Sequence, residues 1–129
     1  MVALHRTRNR QFKALAATAA LVLLSLSPMA GAGEIKNLMK DMKVSVRGAM
    51  ASNSMPEFSK YFARLQNDVQ QASKQQYRSD PATYHEGMQQ LQKELVVVEQ
   101  AVKTNNLQAA KDALQKTNQT KKHYHDLLN

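Results

Sequence analysis

The chain contains no cysteine. That absence excludes disulfides, cysteine-based zinc sites, iron–sulfur clusters, a thiol nucleophile and covalent haem attachment through Cys-x-x-Cys-His. Aromatic residues make up only 5% of the sequence. The basic residues therefore have almost no aromatic partners, and they read as spread along the helices with no dense stripe, which argues against nucleic-acid binding. Four glycines are present, with no glycine-rich phosphate loop and no Ser/His/Asp ordering of a hydrolase. Asp41, Glu57, Asp68, Glu86, Glu94, Glu99 and Asp112 read as scattered over polar helix faces, and none forms a Glu-x-x-His pair of the di-iron kind. No catalytic constellation emerges, and none is expected.

Long apolar runs are also scarce. The one that stands out, Ala14 to Leu26, follows Arg6, Arg8, Arg10 and Lys13 and precedes Ala30-Gly31-Ala32. A basic start, a short apolar stretch and a small-x-small site predict a cleaved secretory leader over residues 1–32, with no membrane span after its removal. The predicted product is one domain, residues 33–129, exported to the periplasm. The formal charge of +8 includes four basic and no acidic residues before position 33, which leaves +4. A mildly basic surface favours docking to an acidic partner, by steering more than by tight binding. A chain of this size buries a modest core, so without disulfides its extra support has to come from helix packing or a bound cofactor. A monomer is the default expectation.

What the sequence does contain is helical periodicity. Ile35, Leu38, Met39, Met42, Val46, Ala49 and Met50 recur at three and four and predict one apolar face. Ser54-Met55-Pro56-Glu57 reads as a capping box that opens a second helix. That helix carries Phe58, Phe62, Leu65, Val69 and Ala72, and it fades through Lys74 to Arg78. Asp80-Pro81 restarts a third, with Tyr84, Met88, Leu91, Leu95, Val98 and Val102 on its stripe. Asn105 is a plausible left-handed cap before a fourth segment, Leu107, Ala110, Ala113, Leu114, Thr117, Lys121, Tyr124 and Leu128. Short connections make consecutive helices neighbours, which predicts an all-α, antiparallel up-down-up-down four-helix bundle.

In that topology the start of the first helix and the end of the fourth share one end. Met39 and His125 then stand at similar height on adjacent helices, and Met plus His is an axial pair for haem iron. Met42, one turn further in, is the competing sulfur, and Met88 faces the same end from the third helix. Lys121 on the core stripe is costly without a partner. It points either to a cofactor filling that end or to a frayed helix terminus. His123 points to another face, and His85 falls outside the third helix's stripe.

Three stretches carry a family resemblance. Glu34-Ile35-Lys36-Asn37-Leu38-Met39, Tyr84-His85-Glu86-Gly87-Met88-Gln89-Gln90-Leu91 and Lys121-Lys122-His123-Tyr124-His125 resemble the opening, third-helix and C-terminal elements of the cytochrome b562 family. Met88 and Thr117 depart from that pattern, standing where the best-known form has an aromatic and an apolar residue. The resemblance covers nearly all of residues 33–129. It implies one non-covalent b-type haem (iron protoporphyrin IX) with Met39 and His125 as axial ligands and a role in periplasmic electron transfer with an unidentified redox partner. On that basis Phe62, Leu65, Met88 and Leu91 supply apolar wall beside Met42, and Lys121 pairs with a propionate. Two rival readings stay consistent with the residues. One is a haem-free periplasmic helical bundle acting as a binding or chaperone-like stress protein. The other is a weak-affinity haem carrier or sensor at the same site.

Overall fold

The computed structural model describes residues 32–129, so the leader reading lies outside the described residues. Four helices follow in order, α1 Ala32–Met50, α2 Met55–Ser73, α3 Pro81–Lys103 and α4 Leu107–Leu128, with no strand among the described residues. The sequence boundaries recur in the caps. Ser54 Oγ accepts from the Glu57 amide at 3.3 Å, and Glu57 reaches back to the Asn53 amide at 3.5 Å. Asp80 caps α3 by accepting from the Thr83 amide at 3.2 Å, with Pro81 directly behind it in the first turn. Each cap satisfies an amide that the helix cannot.

The turn between α3 and α4 is built by asparagine. Asn105 takes φ 56°, the left-handed region, and donates to the Val102 carbonyl at 3.0 Å, while Asn106 donates to Ala101 at 3.0 Å. This paired closure of the last carbonyls is the Schellman motif, with asparagine in the place glycine usually takes. Asn106 then caps α4 by accepting from the Ala109 amide. One dipeptide therefore ends one helix and starts the next.

α1 packs most extensively on α2 and α3 on α4, and the α1–α4 seam is the sparsest of the four between neighbouring helices. The apolar stripes meet as the spacing predicts. Met42, Ala49, Phe58, Ala72, Val98, Ala110 and Leu114 are fully buried, and Phe58 stacks on Phe62 with ring centroids 6.0 Å apart.

Two carboxylates correct the sequence reading. Asp68 and Glu94 are buried rather than on polar faces. Each lies three residues from a stripe residue, Leu65 and Leu91, on the flank that a neighbouring helix covers. A strict stripe is narrower than the face a bundle buries. Glu94 is satisfied there, accepting from Thr120 Oγ1 at 2.7 and 2.8 Å and from Gln90 at 3.2 Å. Asp68 is not: its Oδ2 has no partner.

Candidate functional site

A cavity of about 400 Å³ opens at the end of the bundle where α1 and α3 begin and α4 ends. Pockets of this order hold small molecules and cofactors. α1 contributes Ile35, Lys36 and Met39 to its wall, and α3 contributes Tyr84, Gly87, Met88 and Leu91. α4 adds Lys121, Tyr124, His125 and Leu128, with Asn129 and Tyr77 completing the rim. Of the residues singled out in the sequence, Met39, Met88, Leu91, Lys121 and His125 are brought together here. Met42, Phe62 and Leu65 are not among the lining residues; they are buried in the core of the bundle.

Met39 is half-buried, so its thioether stands between core and cavity. Met42 is fully buried at the next turn. The two sulfurs, equivalent by periodicity, are therefore separated by environment. His125 lies on the open side, with 56% of its side chain exposed. The Asn129 amide donates to the His125 carbonyl at 2.9 Å and lies 3.0 and 3.1 Å from the two ring nitrogens. The last residue of the chain thus sits against the imidazole.

α4 stays helical through Leu128, so the polar interruption of its stripe is not a frayed end. Thr117 is buried and returns its hydroxyl to the Ala113 carbonyl at 3.1 Å, the usual way a helical threonine satisfies itself. Lys121 is half-buried in the cavity wall. Its pKa is lowered, first by burial and then by the neighbouring cations Lys122 and Lys43. No carboxylate lies within ion-pair distance of it among the described residues. A desolvated ammonium facing a cavity with no anion supplied by the chain suits a ligand that carries one.

Tyrosines build the far wall. Tyr77 and Tyr84 stack with centroids 5.4 Å apart and planes at 9°. Tyr84 Oη donates to the Ala72 carbonyl at 2.6 Å, and burial raises its pKa. Tyr77 Oη donates to the Leu128 carbonyl at 2.7 Å, tying the α2–α3 connection to the last turn of α4. No periodicity marks Tyr77, which lies off every stripe in the segment between two helices.

Gly87 admits the ring of Tyr124. A Cβ at position 87 would stand 2.8 Å from Tyr124 Cγ, 2.9 Å from Cδ1 and 3.2 Å from Cβ. These atoms are near the root of the side chain, so the ring could not swing clear without moving α4. Gly87→Ala is therefore expected to destabilise the protein by about 1–2 kcal/mol, overpacking outweighing alanine's better helix propensity. Chemical denaturation measures this, and unchanged or increased stability would show that the ring yields freely.

Residues 34–129 match the family model for cytochrome b562. The chain belongs to the cytochrome b562 family. Haem-binding electron-transfer bundles make up that family, and the four-helix architecture agrees with it. No curated protein matches the chain. Among the described residues no three His, Cys, Asp or Glu side chains converge on a common point. The cavity therefore suits a metal that arrives inside a macrocycle with four donors of its own better than a bare ion. A thioether and an imidazole on its wall, an apolar lining and an unpaired ammonium fit a haem of the b562 kind.

Proposed function

We propose that the protein is an electron carrier that binds one non-covalent b-type haem, with Met39 and His125 as axial ligands. The observation that carries the proposal is that a methionine of the first helix and a histidine of the last line the same cavity. Bound there, the haem supplies a reversible one-electron iron couple. The chain's residues do the rest. Met39 and His125 would hold the iron between them and keep oxygen and substrate from it, which suits electron transfer without catalysis. A thioether from Met39 within apolar walls from Ile35, Met88 and Leu91 would favour the reduced state and a relatively high potential. Lys121 offers its ammonium to a propionate. Met42, Phe62 and Leu65 support the wall from behind.

Expression with sufficient haem, followed by visible spectroscopy, tests the proposal. Stoichiometric haem with low-spin bands in both oxidation states is expected. A preparation that takes up no haem would sink it and favour a haem-free helical binding protein. Stability gives a second measurement. A ligand that binds only the folded state stabilises it by mass action, so the apoprotein is expected to melt below the holoprotein. Equal melting temperatures would mean that the haem contributes nothing to the fold.

We further propose that residues 1–32 are the cleaved leader and 33–129 the functional domain, delivered to the periplasm. No helix among the described residues is long and apolar enough to cross a membrane. N-terminal sequencing of the exported protein should begin at Gly33.

A further inference from the structure

The charges beside the cavity are segregated in a way that haem binding does not use. On α1, Lys36, Lys40, Lys43 and Arg47 follow one another at spacings of four, three and four, and all are exposed. Such spacing aligns them in a single stripe. The α2 side of α1 is marked by Asp41, which pairs with Arg64, and by Gly48, which lies under the ring of Tyr61. By helical spacing Lys36, Lys43 and Arg47 fall on the opposite flank of α1, nearer α4, and Lys36 shares the cavity wall with Lys121 and His125. α4 adds Lys122, exposed on the side nearer α1. Two observations show how the helices face each other: Lys111 donates to the Ser52 carbonyl at 2.6 Å, and Lys36 lines the same cavity as Lys121 and His125.

Among the described residues none of Lys36, Lys40, Lys43, Arg47 and Lys122 has a carboxylate within ion-pair distance. The acids lie elsewhere. Glu86, Glu94 and Glu99 are on α3 and Asp41 is held by Arg64 toward α2, while Glu34 in the first turn of α1 and Asp112 and Asp126 on α4 form no ion pair with these cations. The expectation that the basic residues are spread along the helices with no dense stripe is corrected at α1. They are dispersed along the chain and gathered by the fold. Lys36, His125 and Asn129, exposed residues of the cavity wall, are continuous with this face.

We propose that the α1–α4 face is the docking surface for an acidic protein, whose carboxylates meet Lys40, Lys43, Arg47 and Lys122 and bring it over the cavity edge at His125. The purpose of that approach rests on the electron-carrier reading; the surface itself does not. A protein fits better than a lipid surface, because membrane-lying helices set aromatic or long apolar residues beside their cations. Here Val44 is the single exposed apolar residue of the α1 stripe. A protein also fits better than a nucleic acid, since no aromatic interleaves with these cations.

The test uses the haem-loaded protein, poly-L-glutamate as the acidic probe, and two variants of equal net charge. Amide shifts on titration are expected to centre on residues 36–47 and 118–126. K40Q/K43Q/K122Q should weaken binding by about tenfold at low salt, whereas K60Q/K74Q/K93Q should change it less than twofold, because local complementarity rather than net charge steers the encounter. Equal losses in the two triples would overturn the proposal. So would sedimentation with phosphatidylglycerol vesicles at physiological salt that depends on the same lysines. Binding can also be read on haem-free protein. A chain that takes up no haem yet places the probe on this face would overturn the electron-carrier reading and leave the docking surface standing.

Discussion

Replacing His125 by alanine is expected to remove the low-spin spectrum and weaken haem binding by about a hundredfold or more, roughly 3 kcal/mol. The imidazole is the strongest neutral donor in the cavity wall, and no neighbour replaces it. His123 lies two residues away on the same helix, on a different face, and is exposed. His125 would be the residue through which α4 holds the haem iron. Because the imidazole is largely exposed and Asn129 rests against it, its loss leaves no buried polar group unpaired. The apoprotein should therefore fold and melt almost as the parent does. That separation between binding and folding makes the variant informative. A His125→Ala protein that retains a six-coordinate low-spin spectrum would disprove the assignment.

The same logic ranks the sulfurs. Met39→Ala should leave haem bound through His125 but convert it toward high spin. Met42→Ala should leave the coordination unchanged and destabilise the bundle instead, since Met42 is fully buried and does not line the cavity. A spectrum altered by the second substitution and not the first would move the ligand one turn along α1.

The four helices were readable because their signals are local. Caps, proline placement and apolar spacing lie within a turn or two of one another, and Asn105 shows how far that reaches, down to a single left-handed residue. The end of the bundle was readable too, because up-and-down topology with short connections brings Met39 to the height of His125. What sequence spacing cannot carry is rotation about each helix axis. Met39 and Met42 share a stripe, and only packing against α3 and α4 turns one toward the cavity and the other into the core. Phe62 and Leu65 follow the same rule, lying on the stripe and facing the interior of the bundle. Tyr77 and Asn129 lie in irregular or terminal segments, where no period exists to read. Asp68 and the basic α1–α4 face share a different cause. Both depend on which flank a neighbouring helix covers, a property of pairs of helices and not of any single one.

Asp68 carries the second large expectation, in which the protein loses stability as the pH rises from about 4 to above 7. Its carboxyl is buried between α1 and α2, with Oδ2 unpartnered and the Asp41 carboxylate as its charged neighbour. The Arg64 guanidinium beside Asp41, which donates from Nε at 2.9 and 3.1 Å, holds that carboxyl ionised, with its pKa lowered to about 2. Asp68 is pushed the other way, to about 7, by burial first and by the Asp41 carboxylate second. The pair titrates in two well-separated steps, as carboxylates sharing a site do. An unfolded aspartate has a pKa near 3.9. Between there and 7 the folded chain binds a proton that the unfolded chain has released, so raising the pH favours unfolding. The stabilisation is complete below about pH 4 and is lost as the pH passes through 7, with a magnitude on the order of 3 kcal/mol for a shift of this size. Asp41 works in the opposite direction, but only at the acid end, where stability falls as the pH drops from about 4 toward 2. Asp68→Asn removes the titrating proton. The variant should therefore lose the slope between pH 4 and 8, and at pH 8 it should be more stable than the parent. Urea denaturation of the apoprotein across that range measures both curves, and the exposed histidines cancel in the difference between them. Parallel parent and variant curves would mean that water reaches Asp68 in the folded protein and that its carboxylate is not buried in solution.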